Sequence, residues 1–354
     1  MDSSLNFSEM LERIPCPAFA VKNGVVIHTN RAAQQRQIAQ GAALSDYLDT
    51  EIEEYKNFTN GELCLTLTVC GLDCNATVVA QDDLRIFYLD AEYQEPELRA
   101  FALAAQYLKE PLSGAMTCAN FLLPDSEDAE MQKQIAQLNK NLFQLHRALC
   151  NMTDAAQYQN SRPTRMEFRD VVSIFNEVME KAAQHIKAGN ATLTYCAPNK
   201  SVSATIDTEK IERALLNMVS NAVKFSAKGS NIHATLRVVG KKLYFSVENT
   251  SAKAPIKQTA SVFAHYLRQP GIEDPACGIG LGMSIVRKAA SAHGGTLLLE
   301  QLENAGVRFT MTAVIDKPKD TRLRSEIRLP VDYAGNYDHT LTELSDILPW
   351  ELYK

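Results

Sequence analysis

Hydrophobic and polar positions divide the chain into stretches of different period. Over residues 8–90, "CPAFAV" and "GVVIHTN" are short apolar runs on either side of the turn "KNG", and "GELCLTLTVCG", "CNATVVAQ" and "LRIFYLD" alternate apolar with polar residues. Alternation of this kind predicts strands, here of an antiparallel sheet, with "SEMLERI" and "RAAQQRQIA" as helices. Beyond "EPE" the period changes. Phe101, Ala105, Leu108, Leu112 and Ala115 step by four and three, as do Met131, Ile135, Leu138, Leu142, Leu145 and Leu149 after a break at "LPDSED". Two such helices predict a hairpin with an apolar seam. Pairing two copies into a four-helix bundle would bury that seam and give a homodimer; a helical linker packed on its own domain is the alternative.

Residues 161–316 alternate both periods. A helix and strand in "MEFRDVVSIFNEVMEKAAQHIKAGNATLTYCAP" precede the long helix "DTEKIERALLNMVSNAVKFSAKG", then a hairpin turning at "VGKK", a loop, "CGIGLGMSIVRKAASAHGG", and two strands turning near "NAG". The order predicts an α/β sandwich, one mixed sheet with helices on one face. From 317 the chain turns polar and turn-rich, and "LSDILPWELY" is expected to dock as a short helix. The whole reads as an α+β multidomain chain, with units at 1–92, 93–160, 161–316 and a tail at 317–354.

Composition narrows the partners. The net charge of −6 over 354 residues argues against a nucleic-acid footprint. No apolar run is long enough to span a bilayer, and "MDSSLNFSEMLERIP" lacks the basic flank and apolar core of a signal peptide, so a cytoplasmic protein is expected. The eight cysteines are scattered; Cys70 and Cys74 form the one close pair, without further ligands at zinc spacing.

The candidate chemistry lies in 161–316. Gly278, Gly280 and Gly282 let a backbone approach a ligand, and the helix that follows presents its amides to an anion. The loop before them excludes a Rossmann turn, and "GMS" is not the end of a Walker loop. Asn217, Asn221 and Lys224 recur at i, i+4 and i+7, on one side of the long helix. A carboxamide oxygen can ligate Mg²⁺ and an ammonium can pair with phosphate. The bland alternative is an ordinary solvated face. Ile211, Leu215, Met218, Ala222 and Phe225 form an adjoining apolar stripe, expected to face the core.

These residues carry a resemblance. "LLNMVSNAVKFS" resembles the N-box of sensor histidine kinases, "GIGLGMSIVRKAASAHGG" their second glycine box, and "SVFAHYLR", with Phe263, Tyr266 and Arg268, their F-box. Together they resemble the ATP-binding domain of the GHKL superfamily. The 93–160 hairpin is then similar to the family's dimerisation and phosphoacceptor domain, and "LERIPCPAFAVKNGVVIHTNRAAQ" is similar to the opening of a PAS sensor domain. The resemblance implies ATP and Mg as cofactors, Asn221 on the metal, Lys224 on the phosphates, and Gly278, Gly280, Leu281 and Gly282 around the triphosphate beneath a lid at 251–277. Asn217 belongs to the same nucleotide-binding set.

Two departures from the family pattern bear on function. Where the family carries an aspartate that accepts from the adenine amino group, this chain has Asn249, and both glycines of that motif are gone. A neutral acceptor weakens the bond by about 1 kcal/mol, so weakened but retained ATP binding is expected. In "QYLKEPLS", aligned by Pro111 and Leu112, Gln106 stands at the phosphoacceptor histidine, Tyr107 at its acidic neighbour and Glu110 at Thr or Asn. The glutamine nitrogen has its lone pair delocalised and is no nucleophile, and Tyr107, with a phenol pKa near about 10, is no general base at neutral pH. His146 beside the seam and His293 in the "HGG" turn are expected to be structural. The chain thus reads as a dimeric histidine-kinase-like signalling protein with a degenerate acceptor, a pseudokinase whose partner is a response regulator or another kinase. An active kinase acting on a partner chain, a nucleotide-dead scaffold and an anti-sigma-type serine kinase are the rivals.

Overall fold

The computed structural model describes residues 9, 11–14, 16–48, 52–81, 83–89, 96–122, 128–156, 165–189, 191–226, 229–249, 282–302, 306–316, 334 and 337–354. Asn23 and Gly24, both at positive φ (51° and 75°), turn β1 (Ala18–Lys22) back into β2 (Val25–Thr29). Asn30 caps the short α1 (Arg31–Gln35) by accepting from the Ala33 amide, and α2 (Glu53–Lys56) precedes a three-strand meander of β3 (Glu62–Val69), β4 (Leu72–Gln81) and β5 (Leu84–Leu89). One face of these strands closes on Phe19, Leu63, Leu67 and Phe87, where the Phe19 and Phe87 rings stack at 4.7 Å.

Two long helices follow, α3 (Pro96–Leu122) and α4 (Ala129–Ala156), packed side by side. The seam divides. Ala105 and Leu142 are buried, whereas Leu108, Leu138 and Leu145 are 49%, 46% and 56% exposed.

The remaining elements are β6 (Glu167–Asp170), α5 (Val171–Lys187), β7 (Thr192–Cys196), β8 (Ser203–Ile206), α6 (Thr208–Lys224), β9 (Asn231–Val239), β10 (Lys242–Asn249), α7 (Gly282–Ala292), β11 (Leu297–Gln301) and β12 (Val307–Val314). Helices α5, α6 and α7 bury Phe175, Leu215, Met218 and Val286 against Phe245, Val247 and Met311 of the sheet in one core. Phe225, expected in that core, lies at the C-cap of α6 and is exposed, because the helix ends one residue before its turn would bring the ring inward.

The two alternating regions do not form separate sheets. They join into one of ten strands, in the order β2-β1-β5-β4-β3-β11-β12-β10-β9-β7, antiparallel throughout except for β7 beside β9; β6 and β8 pair apart. The junction is β3 against β11, with Leu63 opposite Leu298. Gly61, at φ 86°, permits it: a Cβ there would lie 1.9 Å from the Leu299 carbonyl oxygen. Across the same boundary the buried Glu54 carboxylate accepts from Lys242 Nζ (2.6 Å) and the Tyr244 hydroxyl (3.1 Å). The tail also departs from its polar appearance. It forms α8 (His339–Glu343), a turn, and a 3-10 helix (Trp350–Tyr353), and it inserts Leu344, Leu348 and Tyr353 into the main core.

Candidate functional site

The site is built on α6. Asp207 caps it by accepting from the Lys210 amide (3.1 Å), and the Asp207 amide donates to Nε2 of the buried His293, at the far end of α7 (3.0 Å). That bond fixes the imidazole tautomer, since Nδ1 then donates to the Ala289 carbonyl (2.6 Å). Burial lowers the His293 pKa, so the ring stays neutral. At the other end of α7, a Cβ on Gly282 would lie 2.7 Å from Asn217 Oδ1. Residue 207 meets 293 and residue 217 meets 282, so α6 and α7 run antiparallel in contact. Glycine at 282 is what lets the start of α7 rest on the Asn217 side chain.

The four-residue spacing separates two asparagines with different surroundings. Asn217 is fully buried. Its Nδ2 donates to the Arg213 carbonyl (2.8 Å) and to Glu343 Oε2 (3.0 Å), and its Oδ1 accepts from Arg147 Nη2 (3.1 Å). Asn221, one turn on, is partly exposed. Lys224, a further turn on, donates to Asp346 Oδ2 at 2.5 Å. Asn249 ends β10 as a buried side chain; its Oδ1 accepts from the Val307 amide (2.7 Å) and its Nδ2 donates to the Ala222 carbonyl (3.4 Å). One lone pair of that oxygen is thereby engaged and a second remains. Gly278, Gly280, Leu281, the F-box-like residues and the 251–277 segment lie outside the described residues. On α3, Gln106 and Tyr107 are exposed. His146 is buried and donates to the Ala334 carbonyl (3.1 Å), a structural contact.

The structure adds a cluster that periodicity did not single out. Glu343, fully buried on α8, accepts from Arg147 Nε of α4 (3.2 Å), from Arg213 Nε of α6 (2.8 Å) and from Asn217. Arg213 also pairs with Asp154 and donates to Asn151 Oδ1 (2.8 Å). Asp346 takes Arg147 Nη1 (2.7 Å) as well as Lys224. Burial alone would raise the Asp346 carboxyl, but Arg147 and Lys224 hold it below the ordinary aspartate range. One signal was present in the sequence: Arg213 stands one turn before Asn217 on the same side of α6, a charge needing a partner if that side is covered. Its partners Asn151 and Glu343 came from 62 and 130 residues away.

Residues 206–317 match the family described as "Histidine kinase-, DNA gyrase B-, and HSP90-like ATPase". Among curated relatives, the sensor protein KdpD of Escherichia coli is 25% identical over 224 residues, covering 62% of this chain and 25% of KdpD. The swarming motility regulation sensor protein RssA of Serratia marcescens is 26% identical over 247 residues, covering 67% of this chain and 50% of RssA. The sensor histidine kinase WalK of Bacillus subtilis is 27% identical over 162 residues, 45% of this chain and 26% of WalK. The chain therefore spans half or less of the length of these relatives. Among solved structures, full-length ShkA in complex with AMPPNP aligns at a TM-score of 0.49 and 19% identity, over 62% of this chain and 47% of that one. Residues 206–317 therefore match an ATPase domain of the histidine kinase-, DNA gyrase B- and HSP90-like family, and the relatives that this chain resembles are sensor proteins and sensor histidine kinases.

Proposed function

We propose that this chain is a two-component signalling protein that binds Mg-ATP between α6 and the glycine stretch at 278–282, and that it does not phosphorylate its own position 106. The observation that carries the reading is the contact of Gly282 with Asn217, which brings the start of the glycine-led helix onto the asparagine-bearing face of α6. In this reading Asn221 supplies a carboxamide oxygen to the metal, Lys224 an ammonium to the phosphates, and Asn249 an acceptor to the adenine amino group, with Gly278, Gly280, Leu281 and Gly282 around the triphosphate. Asn217 acts from behind, seating Gly282. The donor present fits magnesium: Asn221, partly exposed on α6, offers the carboxamide oxygen that a hard cation would take. Magnesium held by one side chain and the substrate's own phosphates is the ordinary arrangement for that ion, and it offsets phosphate charge.

Gln106 leaves position 106 without a nucleophile. The regulatory output then lies in the hairpin, whose half-exposed seam suits a second copy, and in a response regulator or partner kinase that reads it. No helix among the described residues is long and apolar enough to cross a membrane, and we assign the protein to the cytoplasm.

Thermal unfolding of the full chain with and without Mg-ATP tests the nucleotide reading. Wild type is expected to melt higher with nucleotide, by an increment that grows with its concentration, and Asn221→Ala to lose most of that increment. A wild type that does not respond overturns it in favour of a nucleotide-dead scaffold. With radiolabelled ATP, the purified chain is expected to take up no acid-labile, base-stable label; uptake would reveal an active kinase.

A further inference from the structure

Residues 337–354 lie across α4 and α6. Phe143 of α4 meets Tyr337 and Tyr353 edge-on, at 5.7 and 5.1 Å. Asn139 donates to the Tyr353 carbonyl (3.1 Å), and Asp338 caps α8 through the Leu341 amide (2.8 Å). Glu343 anchors the segment between Arg147 and Arg213. Three residues on, the Asp346 carboxylate closes over Lys224, whose side chain is left only 9% exposed.

Lys224 is the group that the nucleotide reading gives to the phosphates, and the inference rests on that reading. We infer that the C-terminal segment is an intramolecular competitor of the nucleotide: Asp346 occupies Lys224 as a carboxylate stand-in for a phosphate, and Mg-ATP loads only when Asp346 lets go. A carboxylate and a polyphosphate cannot both stay beside one ammonium without like-charge repulsion. Apparent nucleotide affinity is therefore reduced by the fraction of molecules in which the segment is released. Arg147 ties the competition to the hairpin. It holds Asp346 with Nη1 and Glu343 with Nε, so release of Asp346 leaves α4 with one fewer anchor on α6. By linkage, whatever repacks the hairpin changes nucleotide affinity by the same factor as nucleotide changes the hairpin.

Calorimetric titration of the full chain with Mg-AMPPNP tests this, on wild type, Asp346→Asn and Glu351→Gln. Asp346→Asn keeps the shape of a partly exposed side chain and removes its charge, and it is expected to bind about tenfold tighter than wild type. Glu351→Gln, an exposed charge on the same segment, is expected to match wild type. Hydrogen exchange at 338–348 is expected to quicken when wild type is saturated with nucleotide. Equal or weaker binding by Asp346→Asn overturns the competition while leaving the nucleotide site standing. So does equal tightening by Glu351→Gln, which would make the effect long-range charge. Binding by none of the three overturns the nucleotide reading, and the inference with it.

Discussion

Helix α6 and the pair α3 and α4 have the same four-three spacing of apolar residues and opposite fates. Ile211, Leu215, Met218 and Ala222 are fully buried on α6, and Arg213 and Asn217 of its polar row are covered too, by Glu343 of α8. On the long pair, Leu108, Leu138 and Leu145 stay about half exposed, with Leu103 at 69% and Tyr107 at 80%. Period identifies a helix and its apolar side. It does not say what lies against that side. For α6 the answer is the sheet and tail of its own chain, whereas among the described residues of the hairpin Leu103, Leu108, Leu138 and Leu145 stay exposed.

Four measurements sharpen or break this contrast. The largest effect is expected from Glu343→Ala, which leaves Arg147 and Arg213 buried without their shared carboxylate; loss of one partner from such a cluster costs about 3–5 kcal/mol. Urea unfolding reads it, and a midpoint equal to wild type would mean that α8 does not cover α6. Leu215→Ala, on the sheet side of the same helix, is expected to cost about 2–5 kcal/mol by the same assay.

The α6–α7 tie is read by pH. His293 has a folded pKa below its ordinary 6.5, so the stability it confers is complete above that value and is lost as pH falls from there through the folded pKa. Unfolding free energy is expected to drop by up to about 1.4 kcal/mol per pH unit in that window, with a shallower slope in His293→Asn. The smallest change is expected from Leu145→Ala: within about 0.5 kcal/mol in dilute monomer, since the side chain is 56% exposed. Sedimentation should instead show weaker self-association for this variant. A loss comparable to that of Leu215→Ala would mean that the seam is covered within one chain.

What the sequence made legible follows the same line. The β9–β10 hairpin was readable from "VGKK", and the structure turns there at Gly240, with φ 59°. Helix α6 was readable because its period runs for four turns between a capping aspartate and a stop. The junction of β3 with β11 was not, because strand edges pair through backbone groups common to every residue, and the signal for close approach is one glycine, Gly61. Nor was the Arg147–Glu343–Arg213 cluster, whose members are 196 and 130 residues apart; isolated charges in polar surroundings look like surface until the chain folds over them. Asn217 shows the limit of spacing most clearly. It stands where a ligand-facing residue was expected, yet its oxygen accepts from Arg147 beside Gly282, and its Nδ2 donates to the Arg213 carbonyl of its own helix and to Glu343 of the tail.

The union of β3 with β11 has a practical consequence. Cutting the chain near 161 to obtain a minimal ATPase fragment would strip β11 of β3, one of its two neighbours, and bare a row of amides and carbonyls that any stray strand could zip onto. Such a fragment would tend to stick to itself, and its misbehaviour would reflect the missing N-terminal strands, not a weakness of the ATPase fold.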